Sequence, residues 1–210
     1  MPNADHLLPW LREIDNNKKY TNFGPLNGIL EERLANSFNH SSKPYLTTIA
    51  NCTLGLELSI KALKLPPKSK ILIPALTFAA TGTAVTRSGH IPIFSEVDIT
   101  SWILTPSIAL QTLKQYDFKA VIPVSTFGYS QDVLEWDNFT SQTGLPVLID
   151  AAGAYGNQTI GQTTHAVFSM HTTKSLGAGE GGFVASKSKV FIDLIRNLSN
   201  FGIDSAQSLG

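Results

Sequence analysis

Disulfides, membrane spans and net charge are all missing from this sequence. A single cysteine, Cys52, rules out an internal disulfide and fits a reducing compartment. No apolar run approaches the ~20 residues that a bilayer-crossing helix needs. The 16 basic and 16 acidic side chains cancel. Nothing electrostatic therefore draws the chain to nucleic acid or to an anionic membrane. The opening Met1-Pro2-Asn3-Ala4-Asp5-His6 lacks the basic-then-apolar pattern of a signal peptide. The expectation is a soluble, cytoplasmic protein. Repeats, low-complexity tracts and long linkers are also wanting.

What remains is a 210-residue chain that is 42% hydrophobic. That suffices for one substantial core, or for a large domain with an incomplete companion. Helical spacing of apolar residues marks 5–15 and 26–38 as helices, separated by a polar loop ending at Gly24-Pro25. Beyond them short β-rich runs at 45–49, 71–74, 91–94, 120–124, 146–149, 166–168 and 182–185 read as strands. Helical patterns at 53–65, 78–87, 107–115 and 132–142 fall between strands, and 189–198 closes the chain. This alternation predicts an α/β fold, a mostly parallel seven-stranded sheet covered by helices on both faces.

In such sheets ligands bind beyond the carboxyl ends of the strands. The run Phe168-Ser169-Met170-His171-Thr172-Thr173-Lys174-Ser175 sets one lysine among alcohols, followed by glycines. A lysine so placed can be desolvated, which lowers its pKa and frees the amine to attack a carbonyl. The plainer alternative for Lys174 is a surface turn. Asn51-Cys52-Thr53 lies between a strand and a helix and offers amides and a hydroxyl to a phosphate, although Thr53 as a simple cap is the commoner role. Phe78 follows another strand, as plate or as ordinary core. Asp150 directly follows Val147-Leu148-Ile149, as a buried carboxylate or a turn cap, and Ser169 could be a hydroxyl satisfied by backbone.

Singly, the plainer alternatives prevail. Together, a phosphate cradle, an aromatic plate, a strand-end carboxylate and a lysine match the needs of pyridoxal 5'-phosphate. Its ring nitrogen wants a carboxylate, its ring a stacking partner and its aldehyde an amine. The glycine run Gly177-Ala178-Gly179-Glu180-Gly181-Gly182 also satisfies G-x-G-x-x-G, the dinucleotide fingerprint. That fingerprint works after a strand and at the start of a helix. Here Thr172-Thr173-Lys174-Ser175 precedes it and β-like Phe183-Val184-Ala185 follows, which disfavours a nicotinamide dehydrogenase.

From about Tyr20 onward the sequence resembles the DegT/DnrJ/EryC1/StrS family of sugar aminotransferases, fold type I enzymes that use pyridoxal phosphate. The resemblance rests on Gly24-Pro25 with Leu30-Glu31, Asn51-Cys52-Thr53, Ile73-Pro74-Ala75-Leu76-Thr77-Phe78, Ile122-Pro123-Val124, Ile149-Asp150-Ala151-Ala152, the Ser169-to-Lys174 motif, the glycine run and Asn200-Phe201-Gly202. It implies that Lys174 bonds covalently to the cofactor, Asp150 holds the pyridine nitrogen and Phe78 stacks on the ring. It implies further that Asn51, Cys52, Thr53 and Ser169 surround the phosphate, that Asn200 reaches it across a homodimer interface, and that Glu180 lies on the substrate side. The implied reaction moves an amino group from an amino acid, glutamate by resemblance, to a nucleotide-linked keto sugar. A branch of the family with histidine at the lysine position dehydrates instead, so Lys174 argues for transamination.

Departures from the family pattern bear on substrate choice. Gly153 stands where glutamine or histidine is usual, Ser125 where histidine is frequent, Cys52 for a common glycine and Phe201 for a histidine. The resemblance also implies a division into an N-terminal helical segment, 1–40, and a cofactor-binding large domain, 41–210, with the family's smaller C-terminal domain absent. The alternative to an active enzyme is a catalytically impaired cofactor-binding or dimerisation module.

Overall fold

Alternating apolar residues commit the strands to two covered faces. The computed structural model describes residues 3–38 and 43–202. Its elements run α1 (Ala4–Asn17), α2 (Pro25–Asn36), β1 (Tyr45–Ile49), α3 (Cys52–Ala62), β2 (Lys70–Pro74), α4 (Ala79–Arg87), β3 (Ile91–Ser95), α5 (Pro106–Leu113), β4 (Ala120–Val121), α6 (Val133–Thr143), β5 (Leu148–Asp150), β6 (His165–Ser169), β7 (Gly182–Ser186) and α7 (Lys189–Ser199). Leu72, Val121, Phe168 and Phe183 point to one side, where they meet Leu34, Ala109, Trp136 and Phe139 of α2, α5 and α6. Ile71, Ile73, Val167 and Val184 point to the other, against Leu56, Ile60, Val85, Ile192 and Ile195 of α3, α4 and α7. Each such side chain, fully buried, contributes ~1.5–3 kcal/mol.

The expected seven strands are all present, with one irregularity. Hydrogen bonding forms a four-stranded group, β1-β7-β6-β5, and a three-stranded group, β3-β2-β4. Isolated parallel bridges, Val121 to Val147 and Val124 to Asp150, join β4 to β5 and make one sheet. Pro123 and Pro146 explain the seam, since neither has an N–H to donate to a ladder. They also cut β4 to two residues where 120–124 was expected. β7 runs antiparallel to both its neighbours, β1 and β6; β2 with β3, β2 with β4 and β5 with β6 pair in parallel.

The N-terminal helices form as the spacing predicts, but α1 buries none of its residues. The proposed boundary at residues 40/41 lies outside the described residues. Among the described residues no helix is long and apolar enough to cross a membrane.

One core group has a consequence for pH. His165 stacks on Phe191 at 3.7 Å between ring centroids, and its Nδ1 shares a 2.7 Å hydrogen bond with the Ser186 hydroxyl. Burial pulls its pKa down to about 4, against the opposing pull of Asp137. The unfolded chain therefore binds the proton more readily between about pH 4 and the ordinary value near 6.5. Stability is expected to fall as pH drops through that window. Urea midpoints at pH 7 and pH 5 should differ for the unaltered chain, and the difference should shrink in His165→Gln.

Candidate active site

The carboxyl ends of β1, β2, β4, β5 and β6 and the amino end of β7 share one rim of the sheet. There a cavity of about 390 Å³ is lined by Leu76, Thr77, Phe78, Val124, Ser125, Thr126, Phe127, Asp150, Ala152, Gly153 and Lys174. Three expected site residues, Phe78, Asp150 and Lys174, thus meet in one space.

Phe78 is the N-cap residue of α4 and 80% exposed. Such exposure removes the alternative of an ordinary core ring. Asp150 ends β5 and is 5% exposed. Its Oδ2 accepts from the Thr81 hydroxyl at 2.7 Å, and its Oδ1 from the Ala152 N–H at 3.2 Å. Thr81 in turn shares a 2.7 Å bond with Thr77 one helical turn earlier. Burial raises the Asp150 pKa; the Thr81 bond, the Ala152 bond and the charge of Lys174 oppose it. A buried carboxylate with neutral donors is short of positive charge. A protonated pyridine nitrogen would supply it.

Lys174 sits half-buried in a turn closed by its own N–H to the His171 carbonyl, 2.9 Å. The neighbouring Thr172 N–H and hydroxyl bond the Gly179 carbonyl, and Ser175 donates to the Tyr155 carbonyl at 3.2 Å. A Cβ on Gly177 would lie 2.6 Å from the Thr172 carbonyl oxygen, so only glycine permits this turn. Gly179 and Gly181 adopt φ of 110° and 136°, and the run leads into β7. It bends the backbone behind the lysine and opens no helix.

The expected phosphate residues lie beside this cavity rather than in its lining. Asn51 caps α3 by accepting from the Leu54 N–H at 2.9 Å. This leaves the Cys52 and Thr53 amides, and the Thr53 hydroxyl, without a protein partner among the described residues. Thr53 is therefore not the cap; Asn51 is. The Cys52 Sγ lies 4.0 Å from Asp150 Oδ1, tying this helix start to the carboxylate. Burial and then Asp150 push the Cys52 thiol well above its usual pKa, with Lys174 opposing. Ser169 is buried at the end of β6, opposite Gly182 of β7, and its Oγ accepts from the His171 N–H. A Cβ on Gly182 would meet the Cys52 nitrogen at 3.0 Å and the Phe168 carbonyl at 2.7 Å. The absent side chain keeps the helix start, β6 and β7 close. Free amides, a hydroxyl and a helix N-terminus are the donors a phosphate takes, so the set fits the cofactor.

Glu180 and Asn200 lie elsewhere. Both line a separate cavity of about 530 Å³ with Tyr20, Asn22, Phe23 and Gly24. Glu180 approaches His171 Nε2 at 3.7 Å.

Sequence reasoning gave Ser125 only as a departure and missed the network beneath it. The Ser125 hydroxyl and the Gln131 N–H both donate to Gln158 Oε1 at 2.8 Å, and Trp136 Nε1 donates to Gln131 Oε1 at 2.8 Å. Thr81 and Phe127 were also missed. Thr77 and Thr81 are four residues apart, a helical-face signal that was available; nothing local pointed to Phe127.

The chain matches the DegT/DnrJ/EryC1/StrS aminotransferase family model over residues 4–209. It is 32% identical to the spore coat polysaccharide biosynthesis protein SpsC of Bacillus subtilis, over 77% of this chain and 43% of that one. It is 27% identical to the dTDP-4-amino-4,6-dideoxy-D-glucose transaminase of Shigella dysenteriae, over 96% of this chain and 55% of that one. A solved PLP-dependent aminotransferase from Bacillus cereus superposes with a TM-score of 0.86 at 32% identity, covering 99% of this chain and 58% of that structure. The chain therefore spans about half the length of the proteins it matches. The family match covers nearly every residue, and by it the chain belongs to the DegT/DnrJ/EryC1/StrS aminotransferases.

Proposed function

We propose that this chain is the large domain of a pyridoxal-phosphate-dependent aminotransferase that moves an amino group from glutamate to a nucleotide-activated keto sugar. The observation that carries the reading is the meeting of Asp150, Lys174 and Phe78 in one cavity, with Asp150 buried and short of positive charge. Family membership and the dTDP-sugar named in the Shigella transaminase support the substrate class.

When bound, the cofactor supplies an electron sink for the pair released as a C–H bond breaks. The chain's own residues do the rest. Asp150 would hold the ring nitrogen protonated, and Phe78 would be the ring's stacking partner. The amides of Cys52 and Thr53, with the Thr53 and Ser169 hydroxyls and Asn51, surround the phosphate. Lys174 would hold the cofactor through its Nζ, and the same Nζ, once free, would take the proton from the substrate carbon. Gly153 and Ser125 line the cavity where the family usually carries glutamine or histidine, and they bear on substrate choice. In the homodimer, Asn200 reaches the partner's phosphate and Glu180 faces its substrate. The reading places the protein in the cytoplasm, with neither nucleic acid nor membrane as partner.

The purified chain, loaded with pyridoxal phosphate and freed of excess, should keep a visible absorbance that glutamate then bleaches, with 2-oxoglutarate released in equal amount. Absence of the absorbance overturns the reading. Absorbance that glutamate leaves untouched would favour the alternative, a cofactor-binding or dimerisation module.

A further inference from the structure

A cleft of about 790 Å³, twice the volume of the cofactor cavity, opens beside it and shares Thr126 and Phe127 with it. Three exposed aromatic residues, Trp102, Phe127 and Tyr129, stand in its wall. Trp102 is 52% and Phe127 88% exposed, and these two rings meet edge to face, centroids 6.3 Å apart at 64°.

Both residues sit in the left-handed region, Trp102 at φ 60° and Phe127 at φ 53°. Bulky residues adopt it only where the surroundings impose it, and such strain clusters where ligands are gripped. The surroundings here do impose it. Asp98 Oδ1 accepts from the Thr100 and Ser101 amides and the Ser101 hydroxyl, and the Trp102 N–H bonds the Asp98 carbonyl at 2.8 Å. Phe127 is carried on a 3-10 turn, Thr126–Gly128, fixed from below by the Ser125–Gln158–Gln131–Trp136 network. Gly128 packs so closely that a Cβ would lie 3.0 Å from the Gly153 carbonyl oxygen. Neither ring is held by a core; both are held by their backbones, facing solvent.

The chemistry of the lining selects the occupant. Around the rings stand neutral hydrogen-bonding groups, Thr100, Ser101, Ser130 and Asn157, and the lining holds no charged side chain. A diphosphate would find no counter-charge there. A flat, uncharged, hydrogen-bonding ring suits it.

We propose that this cleft takes the nucleoside end of the substrate, its base stacked against Trp102, with Phe127 at the junction where the sugar passes toward Lys174. The proposal rests on the aminotransferase reading and adds its specificity site. Stacking accepts any base, since each has a π-face, and the hydroxyl rim then selects among them.

The test is a titration of dTDP, and separately of UDP and GDP, into the chain loaded with pyridoxal phosphate, read by calorimetry. Trp102→Ala and Phe127→Ala should each weaken the best-bound nucleotide roughly 5- to 150-fold, the range that loss of one base–aromatic stack gives. Trp102→Phe, which keeps a ring and disturbs the turn least, should bind nearly as the unaltered chain does. The visible absorbance of the cofactor should be the same in the unaltered chain, Trp102→Ala and Trp102→Phe. Equal nucleotide affinity in both alanine variants overturns the assignment, as does a cofactor-loaded chain that binds none of the three nucleotides. Nucleotide binding that depends on Trp102 in a chain taking up no cofactor would uphold the cleft and overturn the aminotransferase reading instead.

Discussion

Lys174→Ala is expected to abolish the shift in visible absorbance that distinguishes bound from free pyridoxal phosphate and to leave the fold intact. The shift requires a covalent link to an amine, and among the described residues Lys174 is the one lysine lining the cofactor cavity. Loss of its proton transfer alone should slow turnover about 10²–10⁴-fold. Loss of the covalent link compounds this. Stability should hold because the turn is fixed by other groups: the backbone bond to His171, the Thr172–Gly179 pair and the Ser175 hydroxyl on Tyr155. Spectra and thermal melts on the same sample separate the two effects. Lys174→Arg, which keeps the charge and lacks the nucleophile, should match the alanine variant in its spectrum. A shifted band that persists in both variants would exclude Lys174.

Asp150→Asn should move function and stability in opposite directions. Replacing one partner of a buried charge pair costs about 3–5 kcal/mol, so cofactor-dependent turnover should drop roughly a hundred- to several-thousand-fold. Without cofactor the same change relieves a burial cost. Asparagine can still accept from the Ala152 N–H, and its amide can donate to Thr81, whose hydroxyl then turns to donate to Thr77. The pH dependence follows from the raised pKa of Asp150. The folded chain keeps this proton to higher pH than the unfolded chain does. Ionisation of Asp150 therefore subtracts stability as pH rises from the unfolded value to the folded one, and the loss persists above it. The cofactor-free wild type should lose stability across that interval and Asp150→Asn should not. Denaturant midpoints without cofactor, set beside turnover with it, read both arms. A variant that is less stable than wild type without cofactor would contradict this account.

How far the sequence carried the fold can be judged from particular residues. Strands such as 45–49 and 91–94 were plain because β-branched and apolar residues alternate between turn signals. Helix starts were plain wherever a proline or a capping side chain preceded them. The extent of β4 was not, because it depends on Pro123 and Pro146 lying at the two ends of the β4–β5 junction, a relation between distant segments. At the site, Asp150, Phe78 and Lys174 were legible because strand ends in this architecture converge on one rim. Glu180 faces a separate cavity, shared with Asn200, which was expected to act across a dimer interface. A linear reading gives proximity to a motif and not the side of the sheet from which a residue approaches. The Ser125–Gln158 contact spans 33 residues and leaves no periodic trace. Phe127 reads like any aromatic in a turn until its exposure and its backbone angle are known.

The seam between β4 and β5 gives the cofactor a mechanical part. Phe78 belongs to the three-stranded group through β2, whereas Asp150 and Lys174 belong to the four-stranded group through β5 and β6. Between the groups the backbone offers isolated bridges in place of a ladder, with the Asp150 N–H on the Pro123 carbonyl and the Ser125 N–H on the Asp150 carbonyl. On the proposed reading, a ring stacked on Phe78 and anchored at Asp150 would lie across that line and hold the two half-sheets together. Filling the site would thus consolidate the scaffold as well as arm it, because a junction held by isolated bridges lies directly beneath the chemistry.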